Sequence, residues 1–220
     1  MKIKFKAILF DLDGTLLDTL ADISDSMNAA LEKFGFPVHS YEDYRYFIGD
    51  STNTLAVRAI PKEHQDSETI KKCLEEMDAQ YHKRWQDNTK IYPGIEDMLA
   101  EIEKLKLPKA VLSNKPDKFA QITINHFFEK FSFDVVRGVS PNLARKPDPT
   151  GALQVANELN IEPKDFLYLG DTNTDMITAI EAGMYPVGAT WGFRDAAELL
   201  EYGAEALAEK PEDVIKILAE

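Results

Sequence analysis

The chain has 220 residues, 44% of them apolar, and its 25 Lys and Arg against 38 Asp and Glu give a net charge of -13. That combination suits a soluble globular protein of one domain, or one domain with an insertion. The charge argues against nucleic acid as a partner, the single Cys73 excludes an internal disulfide, and no apolar run is long enough for a signal peptide or a membrane span, so a cytoplasmic protein is expected.

Residues 7–10 form an uninterrupted apolar run, which predicts a strand covered on both faces. Asp11, Asp13, Gly14 and Thr15 follow at once. If the chain stays extended through Asp13, both carboxylates lie on one side and Leu12 turns to the core. Over residues 19–34 apolar side chains recur at three and four, with Gly35 as the stop, which predicts a helix. Helical pattern returns over 52–60 and 67–85, with no strand between. From residue 95 the pattern alternates: helices 95–105, 117–128, 150–159 and 175–182, strands 109–112, 133–136, 166–169 and 186–189, then two short helices. Strands alternating with helices imply crossover units and a parallel sheet. The expected fold is therefore α/β: a Rossmann-like three-layer core of residues 1–17 and 90–220, interrupted by an all-helical cap domain at 18–89. Hinges are expected at 14–18 and 87–94, where turn residues gather.

Each later strand ends in reactive side chains. The second gives Ser113-Asn114-Lys115, the third leads to Lys146-Pro147-Asp148-Pro149, and the fourth gives Gly170-Asp171 with Asp175 beyond. In an open α/β sheet ligands bind outside the carboxyl ends of the strands, so these groups would converge there. Taken singly, each has an ordinary reading as a helix cap, a loop lysine or a first-turn acid.

Taken in order and spacing, the four motifs resemble those of the haloacid dehalogenase-like hydrolase superfamily, and the whole length is similar to its phosphoglycolate phosphatase-like branch. The resemblance implies a Mg²⁺-dependent phosphatase acting on a small-molecule phosphate ester as a monomer or homodimer. It implies Asp11 as nucleophile, forming an aspartyl phosphate that water hydrolyses, and Asp13 as the acid and base of the two steps. Lys146 would neutralise the nucleophile and the transferring group. Ser113, with Asn114 and the backbone amides beside it, would hold phosphate oxygens. The implied metal ligands are Asp11, the Asp13 carbonyl and Asp171, while Asp175 either joins them or orients Lys146 or a metal-bound water. Neighbouring carboxylates are expected to crowd Asp13, and Thr15 to steady it. In the cap, Gly49 permits a tight turn, and Arg45 is either a surface residue or the partner of a substrate carboxylate. Arg58 and Arg84 are weaker candidates, and Lys115 is placed to contact substrate. The run 190–194 is assigned to packing. The four histidines lack ligand spacing.

The same motifs leave open a pyrophosphatase, a nucleotidase or a phosphosugar mutase. A signalling receiver that merely accepts phosphate is disfavoured, because it needs neither a helical insertion nor Asp13.

Overall fold

The computed structural model describes residues 3–219 and divides into two compact units, one that ends at Leu17 and resumes at Ile91, the other spanning Asp18–Lys90. The first opens with β1 (Ala7–Phe10), fully buried, and the two-residue β2 (Leu17–Asp18) leads out of it.

The helical unit holds α1 (Leu20–Lys33), α2 (Tyr41–Phe47), α3 (Thr52–Ala59) and α4 (Ser67–Arg84). The apolar stripe of α1, with Met27, Ala30 and Leu31 buried, packs on α4, which contributes Cys73, Met77 and Tyr81. Between the helices expected at 19–34 and 52–60 the chain forms a further one, α2, started by a capping box in which Ser40 and Asp43 satisfy each other's backbone N–H groups. Arg58 is used inside this unit: it pairs with Asp50 at 2.7 Å and donates to the Tyr46 and Phe47 carbonyls at the end of α2. Arg84 likewise donates to Gln80.

The chain returns through β3 (Lys90–Ile91), which pairs with β2. Then come α5 (Ile95–Lys104), β4 (Lys109–Pro116), α6 (Asp117–Phe127), β5 (Val135–Val139), α7 (Thr150–Glu158), β6 (Phe166–Gly170), α8 (Asn173–Glu181), β7 (Tyr185–Ala189), α9 (Ala196–Glu201), β8 (Ala206–Ala208) and α10 (Pro211–Leu218). The six longer strands form one sheet in the order β5-β4-β1-β6-β7-β8, every pair parallel. Counted along the chain, that is the doubly wound order, and it reverses at β1.

Alternation along the strands sorts the core into two layers. Ile8, Phe10, Leu167 and Leu169 face α5, α6 and α10, whereas Ala7, Leu9, Phe166 and Tyr168 face α7 and α8. Fully buried Leu9 shows the scale involved, since truncating such a residue costs about 2–5 kcal/mol.

Several strands differ from expectation: β4 runs four residues past 112, and the short β2 and β3 join the expected strands. β5 starts two residues late: ahead of it Asp134 already engages Lys109, its N–H donating to the Lys109 carbonyl at 2.8 Å and its carboxylate accepting the Lys109 N–H at 2.9 Å. One segment expected to hold only short helices contains β8, an Ala-Leu-Ala stretch that its pairing with β7 makes a strand.

Candidate active site

Phe10 pairs with Val111 on one side and Leu169 on the other, so the residues that follow Phe10, Val111 and Leu169 emerge together at the carboxyl edge. Asp11 extends β1 by one rung, its N–H donating to the Leu169 carbonyl at 2.9 Å. Asp171 follows β6, and Asp175 sits in the first turn of α8. All three carboxylates are buried and offer oxygens within 4.8 Å of one another. Lys146, on the loop before α7, places Nζ 2.7 Å from Asp11 Oδ1 and 2.6 Å from Asp175 Oδ1.

One ammonium against three buried carboxylates leaves negative charge uncompensated. Burial, reinforced by Asp175 and Asp171, pushes the Asp11 carboxyl well above its ordinary range despite Lys146. Burial, with Asp175, likewise raises Asp171 to about 7. Burial opposes the charge on Lys146, but Asp11 and Asp175 outweigh it and hold that ammonium well above its usual pKa.

Each carboxylate is oriented by donors. Asp171 accepts from the Thr15 hydroxyl at 2.7 Å on one oxygen and from the Phe193 N–H at 2.8 Å on the other. Asp175 accepts from the Thr172 N–H and hydroxyl at 3.0 and 2.7 Å, and from the buried Tyr168 hydroxyl at 3.3 Å. Backbone approaches Asp171 closely from two sides: a Cβ on Gly14, where φ is +92°, would lie 2.2 Å from its Oδ2, and one on Gly192 would lie 2.3 Å from its Cβ.

These observations together test whether the residues fit a divalent cation. The donors are all oxygen, three carboxylates face a single ammonium, and burial holds the protons of Asp11 and Asp171 more tightly than an ordinary carboxyl does. Such a set fits a hard ion of the Mg²⁺ or Ca²⁺ kind, to which Asp11, Asp171 and Asp175 could each offer an oxygen.

The other site residues fall as follows. The Lys115 ammonium reaches both oxygens of Asp13, at 2.8 and 3.0 Å, so it is directed at Asp13. The carboxylates crowd Asp11 and not Asp13, and the hydroxyl of Thr15 goes to Asp171 and not to Asp13. Ser113 is buried, with Oγ accepting the Lys115 N–H at 3.2 Å, while both ends of the Asn114 amide bond the backbone of Lys146. β4 runs from Leu112 to Pro116 while β5 runs only from Arg137 to Val139, so these three residues sit in a register shift that frees them from the ladder. Arg45 lies in the last turn of α2 and Gly49, with φ +123°, just beyond it, both in the helical unit.

Three contributors carry no readable signal in sequence: the Phe193 N–H, the Tyr168 hydroxyl and Trp191, whose Nε1 donates to the Thr15 carbonyl at 2.9 Å. The loop 190–194 thus does more than pack, since Gly192 and Phe193 help hold Asp171.

An open α/β sheet with a crowded acidic edge beside a buried lysine belongs to a recognisable class of hydrolase. Residues 8–189 match the model of the haloacid dehalogenase-like hydrolase family, and the chain belongs to it. Over 207 residues it is 30% identical to a phosphoglycolate phosphatase of Xanthomonas campestris pv. campestris, covering 94% of this chain and 93% of the relative. It is 29% identical to a phosphoglycolate phosphatase of Chromobacterium violaceum over 197 residues, 88% of this chain and 89% of that one. The crystal structure of a protein provisionally designated a phosphoglycolate phosphatase, from Lactobacillus delbrueckii subsp. bulgaricus, matches with a TM-score of 0.93 at 28% identity, covering 99% of this chain and 100% of that chain. The chain is accordingly a phosphatase of the phosphoglycolate phosphatase-like branch.

Proposed function

We propose that this enzyme hydrolyses a small phosphorylated metabolite, 2-phosphoglycolate being the first candidate, with Mg²⁺ and through a covalent aspartyl phosphate on Asp11. The observation that carries the reading is Asp11 at the end of β1, within 4.8 Å of Asp171 and Asp175 and 2.7 Å from the Lys146 ammonium.

A phosphate monoester is a dianion, and a carboxylate attacking it meets repulsion unless positive charge lies between them. Mg²⁺ held by Asp11, Asp171 and Asp175, with the Asp13 carbonyl, would supply that charge and polarise the phosphoryl oxygens. Asp11 attacks phosphorus through a carboxylate oxygen, and the bond to the leaving oxygen breaks. Asp13 hands that oxygen a proton, then takes one from the water that attacks the aspartyl phosphate, so Asp11 is regenerated and inorganic phosphate leaves. Lys115 keeps the Asp13 carboxyl aimed, Lys146 neutralises the nucleophile, and Ser113 holds an equatorial oxygen. The helical unit, residues 18–89, is read as a cap that excludes water, with Arg45 and Gly49 as its contribution to substrate choice.

The test is a screen of phosphorylated metabolites, ranked by kcat/KM with and without Mg²⁺, with Asp11→Asn as control. Two-phosphoglycolate at the head of the ranking, and a folded but inactive Asp11→Asn, support the reading. An Asp11→Asn protein that turns over at the wild-type rate removes Asp11 as nucleophile.

A further inference from the structure

Lys146 stands on a stretch with little regular structure to hold it: between β5 and α7 the neighbours Ala144, Arg145, Pro147 and Asp148 are all exposed, while Lys146 itself is 3% exposed. A lysine has four rotatable bonds between backbone and ammonium, so a fixed Nζ needs a fixed backbone as well as partners at the tip. The tip has them, in Asp11 and Asp175. The backbone is held by one side chain. Asn114 accepts the Lys146 N–H on Oδ1 at 2.7 Å and donates from Nδ2 to the Lys146 carbonyl at 3.1 Å. Two antiparallel hydrogen bonds from one planar amide fix both the position and the orientation of the residue they grip. Because Asn114 lies in the register shift of β4, the grip ties the loop directly to the strand that carries Ser113.

We infer that Asn114 is the positioning residue for Lys146, its side-chain amide serving to aim the ammonium and not to bind phosphate. Its importance to turnover rests on the reading of Lys146 given above. An isosteric Asp at position 114 keeps the acceptor for the N–H but presents a carboxylate to the Lys146 carbonyl, so half of the grip becomes repulsive.

The test measures kcat/KM for p-nitrophenyl phosphate in wild type, Asn114→Ala, Asn114→Asp, Lys146→Ala and the double variant Asn114→Ala/Lys146→Ala, using single-turnover conditions so that slow variants stay measurable. Asn114→Ala is expected to lose about 10- to 100-fold, the scale of an ångström-sized misplacement, with Asn114→Asp no better. In the Lys146→Ala background, adding Asn114→Ala is expected to change the rate less than about twofold, since nothing remains to be aimed. A purely structural role would reduce both backgrounds by the same factor. That result, or an Asn114→Ala protein as active as wild type, overturns the inference. The ammonium ¹H–¹⁵N resonance of Lys146, identified by its loss in Lys146→Ala, gives a second readout that needs no turnover. It should shift in Asn114→Ala, and an unmoved resonance also overturns the inference. A wild-type protein inactive on every phosphate ester would instead defeat the phosphatase reading, leaving the resonance to decide the placement of Lys146.

Discussion

Thr15 shows how much of this site depends on single donors. Its hydroxyl is one of two groups that orient the Asp171 carboxylate, and its own carbonyl is held by Trp191. On the proposed reading Asp171 ligates the metal, and donors one step removed from such a ligand are worth about 10- to 100-fold in metal affinity when deleted. Thr15→Val keeps the shape and removes the donor, so Mg²⁺ affinity should fall about tenfold by calorimetry while kcat at saturating Mg²⁺ stays closer to wild type. Equal Mg²⁺ affinity in the two proteins would contradict the role. The residue types of the site were readable because carboxylates placed directly after a buried strand point to the carboxyl edge. Which oxygen each hydroxyl reaches was not, because a period of two gives a side of the sheet and no distances. It could not distinguish Asp13 from Asp171 as the partner of Thr15, and a backbone donor such as the Phe193 N–H has no side chain to read.

At the level of elements, Asp22 joins α1 to the end of the helical unit. Its fully buried carboxylate accepts from the N–H and Nδ2 of Asn88 and from the N–H and hydroxyl of Thr89, at 2.7 to 3.1 Å. Four donors converge on one acceptor-only group, so replacing an oxygen by an NH₂ turns part of the cluster against itself. Asp22→Asn should destabilise the helical unit by about 1–3 kcal/mol, the cost of leaving buried polar groups unpaired. Urea unfolding followed by far-UV circular dichroism measures this, and a midpoint within error of wild type would show that the cluster contributes nothing. This tie was invisible in the chain, where Asp22 reads as an ordinary first-turn acid. The helices themselves were legible: α1 falls within a residue of its periodicity at each end, because an amphipathic stripe fourteen residues long overrides local noise. Short elements were not. α2 is made by a cap and β8 by a neighbouring strand, and neither has enough residues for a period to emerge.

For the molecule as a whole, net charge and buried charge act in the same direction. A chain with a net charge of -13 that also buries Asp11, Asp171 and Asp175 together is under electrostatic load wherever those groups ionise. The ordinary carboxyl pKa is 3.8, and Asp171 in the folded protein is raised to about 7, chiefly by burial and then by Asp175. Between these values the folded state holds a proton that the unfolded chain has released, so without metal its stability falls as pH rises through that window and levels off above it. Asp11, raised in the same direction, adds to the effect. A divalent cation needs the deprotonated carboxylates, so the proton on Asp171 competes with it on the acid side and competes less as pH rises through about 7. The rise in Tm on adding Mg²⁺ to chelator-treated protein should therefore grow from pH 5 to pH 8. Taking the difference between loaded and unloaded protein at each pH cancels titrations elsewhere in the chain and isolates the site. A Mg²⁺ effect as large at pH 5 as at pH 8 would mean that the protons on Asp11 and Asp171 do not compete with the cation, and that it is held elsewhere.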